Sequence, residues 1–199
     1  MQQVRSTVEG IQTVMLDARQ QPDAKKKQRV AQIRHLIARR FDFTEMAKRA
    51  LGPEWQRRSQ RERGEYVKLF TDLVETSYLD RMETYAGEHV VYLRENRDAD
   101  YAEVATKALA VKDEDLAINY KLKRAGSEWK IYDLIIDNVS VVNNYRAQFT
   151  RILNETSFDR LLSKLRESRQ NQMQAKKSRP DTTLLSAWIL AQASPNRPR

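Results

Sequence analysis

The sequence offers little to nucleophilic or metal chemistry, since it holds two histidines, His35 and His89, and no cysteine. The histidines fall in a basic helical stretch and at the start of a strand-like run. Neither belongs to an HExxH, nucleophile-elbow or Gly-rich phosphate pattern. Without Cys there is no thiol nucleophile, no disulfide framework and no Cys-based zinc or iron-sulfur site. Asp133 and Asp137 stand four apart on a strand-like run, the minimum for paired carboxylate chemistry, yet acids on a wet strand face are commonplace. Asp113-Glu114-Asp115 lacks the spacing and the glycine of a calcium loop and reads as a turn. This inventory points to a protein that binds rather than an enzyme, with no metal and no cofactor.

What the chain does hold in surplus is aromatic and aliphatic residues at regular steps. Tyr66, Leu69, Phe70, Leu73, Val74, Ser77, Tyr78, Met82 and Tyr85 recur at i, i+3, i+4, i+7 and form one broad helical stripe. Ser59 to Glu62 is a capping-box pattern that starts this helix, predicted to be the longest, and Gly87 ends it. Ahead of it, Val4, Val8, Ile11 and Met15 mark a first helix ending near Gln21-Pro22-Asp23. Val30, Ile33 and Ile37 mark a second helix capped by Asp23. A short third helix from about Glu45 to Leu51 closes on Gly52 as a left-handed cap with Pro53 beyond, and Trp55 sits on a brief helical turn.

The period then changes from helical to alternating. His89 to Glu95, Tyr101 to Val111, Leu116 to Lys123 and Glu128 to Val141 read as four strands of an antiparallel meander. Ile118, Tyr120 and Leu122 alternate with Asn119, Lys121 and Lys123, which predicts one buried face and one wet face. The fourth run loses that alternation, as a strand covered on both sides or bulged would. Helical spacing returns at Tyr145, Phe149, Ile152 and Leu153, and again at Leu161, Leu162 and Leu165 after Ser157. The chain reads as a single α+β domain over residues 1–170, with a polar, partly disordered tail over 171–199. Within that tail Leu184 to Leu190 is apolar but too short to span a bilayer.

Charge is unevenly spread. Residues 1–60 hold 13 Lys/Arg against 6 Asp/Glu, 61–145 hold 12 against 17, and 146–199 hold 11 against 4. Two basic ends around an acidic middle suit a steered encounter with an anionic partner. A basic module for nucleic acid or another polyanion is therefore the alternative function, motivated by a sequence pI of about 9.8 and the Lys25 to Arg40 run. Those cations lack interleaved aromatics and a recognition-helix motif, so nucleic acid is not the expected partner.

Several motifs together resemble the MlaC family, also called the toluene-tolerance or ABC-transporter auxiliary family. They are Phe41-Asp42-Phe43, Met46-Ala47, Ala50-Leu51-Gly52 with Trp55, and Phe70, Leu73 and Thr76-Ser77-Tyr78. Trp129 to Asp133 and Val139 to Phe149 carry a tryptophan strand running into a Ser-x-x-x-Asn-Tyr-Arg helix. The resemblance covers about residues 1–170 in order, with Asn138 where members often have Gly. It implies an NTF2-like fold in which a small antiparallel four-stranded sheet and several helices enclose an apolar lipid pocket. It further implies a periplasmic phospholipid carrier, its signal peptide removed, that maintains outer-membrane lipid asymmetry. Its partners would be an inner-membrane ABC transporter with an MCE-domain ring and an outer-membrane lipoprotein–porin complex, and the carrier itself would be a monomer.

Taking the helical stripe and the strand faces together, the residues expected to line the lipid cavity are Phe70, Leu73, Val74, Ser77, Tyr78, Tyr120, Leu122, Trp129, Ile131, Tyr145 and Phe149. Bound diacyl phospholipid is cargo rather than cofactor. Ser77, the small residue in a bulky stripe, leaves volume that either a lipid or a neighbouring side chain must fill.

Overall fold

The computed structural model describes residues 1–20, 26–84, 89–109 and 115–178. Four helices come first: α1 (Gln2–Gln20), α2 (Lys26–Arg40), α3 (Phe43–Leu51) and α4 (Gln60–Thr84). Strands β1 (His89–Asp98), β2 (Tyr101–Leu109), β3 (Leu116–Ala125), β4 (Glu128–Ile136) and β5 (Val139–Ser140) follow. Helices α5 (Val141–Glu155) and α6 (Phe158–Ser178) complete the described chain. Helix α6 runs past residue 170 to Ser178. The Gln21-Pro22-Asp23 break, Gly87 and the Leu184 to Leu190 segment lie outside the described residues.

Local chemistry accounts for most of the boundaries. Asp42 caps α3 by accepting the Glu45 N–H at 2.9 Å. The predicted left-handed cap at Gly52 is instead a glycine at φ 64°, ψ −138°, and a 3-10 turn, Gly52–Arg57, carries Trp55. The positive φ requires glycine there; a Cβ would stand 3.3 Å from Nε of Arg146, an exposed side chain that can give way. The capping box forms as its sequence demands: the Ser59 N–H donates to Glu62 at 2.7 Å, and the Glu62 N–H donates back to the Ser59 hydroxyl at 3.3 Å. At 25 residues, α4 is the longest of the described helices.

The sheet is an antiparallel meander in the order β1-β2-β3-β4-β5. It has five strands rather than the four expected. The run predicted as one strand to Val141 breaks at Asp137 and Asn138, whose φ angles of 46° and 67° make a two-residue hairpin turn, and β5 returns along β4. A fully extended reading of Glu128 to Val141 missed this because only Asp-Asn, not a glycine, signals the turn. Bulges skip Leu93 in β1 and Tyr132 in β4, which explains the lost alternation in the fourth run.

Among the described residues, three apolar clusters hold the fold together. The largest joins α3, α4, α5 and α6, with Tyr66, Phe70, Tyr145 and Phe149 in mutual ring contact at centroid separations of 5.5–6.2 Å. A second fastens α1 to the sheet through Val4, Val104, Tyr120, Leu122 and Ile131. A third, of Ile11, Ile33 and Ile37, joins α1 to α2. Phe41 packs on all three, and the Asp42 N–H donates to the Ile131 carbonyl at 2.8 Å, which ties the helical hairpin to β4.

Candidate functional site

Residues paired across an antiparallel ladder share a face, so the register sorts the sheet into rows. On the face carrying Tyr120 the rows run, from one end, Val90–Ala108–Leu116, Tyr92–Thr106–Ile118–Ile136, Glu95–Val104–Tyr120–Leu134 and Arg97–Ala102–Leu122–Ile131. The last two rows are closed at their centres, with Leu134 and Ala102 half-buried and Arg97 exposed. Val104, Leu122 and Ile131 are 1–2% exposed beneath Val4 of α1. In the first two rows Val90, Leu116, Ile118 and Ile136 are half-buried around Thr106 and Ala108, which are 1% and 3% exposed. An incompletely covered apolar end on an otherwise tight core is where an apolar ligand can bind without displacing packed side chains.

The sequence-predicted lining residues separate into two groups. Phe70, Leu73, Val74, Tyr145 and Phe149 belong to the helical cluster, all 7% exposed or less. Tyr120, Leu122 and Ile131 belong to the α1–sheet cluster, with half-buried Trp129 against it. Ser77 is 7% exposed and faces the Tyr145 phenol, holding it below the rise that burial alone would give, so its small size is matched to a neighbour. The Tyr78 side chain lies outside the described residues. Sequence spacing passed over Val90, Tyr92, Leu116 and Ile136. It had placed Ile118 on the buried face but could not tell an outer row from an inner one.

A separate cavity of about 200 Å³ lies at the closed end, lined by Val4, Val104, Leu122 and Trp129 under a rim of Gln2, Glu95 and Arg97. It is smaller than the ~300–1,000 Å³ typical of small-molecule sites, and two acyl chains do not fit in it. Arg40 closes this end, donating to Gln3 and to the Trp129 carbonyl, each at 2.8 Å, and to Thr7 at 3.2 Å.

The polar groups weighed for chemistry have other partners. Asp133 is 5% exposed, and its carboxylate accepts from the Ser140 hydroxyl at 2.6 Å and the Val142 N–H at 3.0 Å, fixing β4 to the first turn of α5. Asp137 accepts the Ala117 N–H at 3.2 Å from its place in the hairpin turn. His35 and His89 are exposed on separate elements. Among the described residues no three acidic or histidine side chains gather as a metal site would require. Some of the basic surface is used inside the fold: Arg166 pairs with Glu65, Arg169 with Asp72 at 3.3 Å, and Arg34 with Glu75 at 3.3 Å. Desolvation beside α2 pushes the Glu75 carboxyl up, partly countered by Arg34. Burial likewise raises the phenols of Tyr66, Tyr120 and Tyr145 and pushes Tyr92 up to about 12.

The chain and its fold have known relatives. The family model for the MlaC protein matches residues 5–167. The chain is 22% identical over 125 residues to the intermembrane phospholipid transport system binding protein MlaC of Haemophilus influenzae, a match covering 60% of this chain and 58% of that relative's length. The solved structure of a phospholipid-binding protein from Ralstonia solanacearum, in complex with a phospholipid, superposes with a TM-score of 0.76 at 20% identity, over 86% of this chain and 97% of that one. The last likeness confirms the α+β fold.

Proposed function

Because the chain belongs to the MlaC family, we propose that it binds phospholipid and carries it through the periplasm, and that it is not an enzyme. The observation that carries this reading is the half-covered apolar end of the sheet, beside cores that are otherwise tightly packed. Acyl chains would lie along Val90, Leu116, Ile118 and Ile136, next to Leu73, Val74 and the C-terminal half of α4. Phe70, Tyr145, Phe149, Leu122 and Ile131 would back the cavity as fixed wall. The lipid headgroup would stay outside, making few desolvated hydrogen bonds, so headgroup selection would be loose.

Energetics then dictate partners. At ~0.8 kcal/mol per buried CH₂, a lipid with about thirty methylenes gains roughly 24 kcal/mol on leaving water, beyond the ~18–21 at which affinities saturate. Release into water is not workable, and the lipid must pass directly into another apolar site. An inner-membrane ABC transporter with an MCE-domain ring and an outer-membrane lipoprotein–porin complex would supply those sites, and the traffic would maintain outer-membrane asymmetry. The test is mass spectrometry of an organic extract of protein purified without detergent. Near-stoichiometric diacyl phospholipid is expected, and Ile118→Asp should lose most of it while melting close to the parent. An empty extract, or full loading in Ile118→Asp, would overturn the reading or the placement respectively.

A further inference from the structure

Two phenol hydroxyls, those of Tyr66 and Tyr92, are shut off from water and meet no hydrogen-bond partner among the described residues. Their surroundings differ. Tyr66 is fully buried in the helical cluster, with the rings of Phe70, Phe149 and Phe158 at 6.0–6.2 Å, a core already sealed. Tyr92 stands instead in the row Tyr92–Thr106–Ile118–Ile136, on β1, the edge strand of the sheet. Its ring packs on the α1–sheet cluster under the Arg5 guanidinium, 4.5 Å from the centroid, while Ile118 and Ile136 further along the row are half-buried. Thr106, its neighbour across the ladder, already donates to the Ile118 carbonyl at 2.9 Å. A buried hydroxyl with no acceptor bears the whole cost of its lost hydration. At Tyr66 nothing can enter to relieve that cost, whereas Tyr92 borders the end of the sheet that the helices leave half-covered.

We propose that the Tyr92 hydroxyl donates a hydrogen bond to an ester carbonyl of the bound lipid, so that Tyr92 selects ester-linked over ether-linked chains. This role rests on the carrier reading and adds a specificity residue to it. The edge position suits the group. Chains laid across the row toward β4 put the glycerol esters over β1 and the headgroup beyond the sheet edge, where Leu93 and Arg94 are exposed. A neutral acceptor fits better than the lipid phosphate, which would have to shed its water at a shielded position. Burial and the charge of Glu9 push the phenol up to about 12, with Arg5 countering in part, so the group stays a donor and disfavours a further negative charge.

The test compares two phosphatidylglycerols of equal chain length, one diester and one diether, each supplied in vesicles to the delipidated full chain in competition with a fluorescent phospholipid. The diester preference of the parent should exceed that of Tyr92→Phe about five- to tenfold, the range that one neutral hydrogen bond supplies. Without lipid, Tyr92→Phe should melt no lower than the parent, since its hydroxyl gives up no bond within the fold. Tyr66→Phe removes the other unpartnered phenol and should keep the parent's preference. Equal preferences in the parent and Tyr92→Phe overturn the proposal and leave the carrier reading standing. A lipid-free Tyr92→Phe that melts several degrees lower also overturns it, because the hydroxyl would then be bonded inside the protein or to a trapped water. Loss of the preference in Tyr66→Phe as well would make it a property of the whole core and overturn the assignment to Tyr92. Uptake of neither lipid by the parent overturns both the proposal and the carrier reading.

Discussion

Asp133→Ala separates a structural carboxylate from a reacting one. The side chain is 5% exposed and accepts two hydrogen bonds, from the Ser140 hydroxyl at 2.6 Å and the Val142 N–H at 3.0 Å. Hydrogen bonds to a charged group contribute about 1.5–3 kcal/mol each, offset in part by the carboxylate's own desolvation. The substitution also leaves a buried N–H at the start of α5 without its acceptor. We expect a net loss of about 3 kcal/mol, a fall in Tm of roughly 6–12 °C for a chain of this size. Ser140→Ala removes one of those bonds and the helix cap to the Asn143 N–H at 3.0 Å, costing about 1–2 kcal/mol. Because the two residues share a bond, the double variant should lose less than the sum, by at least ~0.5 kcal/mol. Urea unfolding followed by circular dichroism measures all three. A loss under about 1 kcal/mol in Asp133→Ala would refute the anchoring role. Abolished lipid transfer at unchanged stability would point to a reacting carboxylate instead.

Ser77→Trp should cost about 1–3 kcal/mol, from overpacking against Tyr145, with lipid per folded molecule unchanged; a variant of normal Tm that carries no lipid would place an acyl chain at Ser77. The raised phenols give an alkaline limit, because a group with an elevated folded pKa supports the fold fully below its unfolded value near 10 and loses that support as pH rises through the folded value. Stability should therefore fall between about pH 10 and 12, the range set by Tyr92 at about 12, and phenolate absorbance should show part of the tyrosine titrating only as the chain unfolds. Early titration of every tyrosine in folded protein would contradict the burial. Arg40→Ala removes donors to Gln3, Thr7 and the Trp129 carbonyl and should cost about 2–3 kcal/mol, with hydrogen exchange rising first in α1; uniform exchange across all helices would argue against a local latch.

The helices were legible in the sequence because their signals are local. The capping box at Ser59 and Glu62 and the stripe from Tyr66 to Ser77 each need only a few neighbouring residues to declare a helix and its inner face. The sheet was legible in its strands but not in its edges: the Asp137-Asn138 turn, made without glycine, hid β5, and the Tyr132 bulge was visible only as lost alternation. What spacing could not supply was depth. Ile118 and Leu122 sit on the same face of β3 and look alike in the sequence, yet Leu122 lies beneath Val4 while Ile118 is half-covered. The difference depends on which helix crosses which row, and α1 crosses the rows nearest the β1–β2 turn. Chemistry follows from that crossing. A row sealed by a helix has already gained its burial energy and gives a ligand nothing, whereas a half-covered row still has apolar surface to remove from water. On the proposed function, a lipid would therefore bind at the rows that the helices leave half-covered, with the stripe of α4 as the wall behind them.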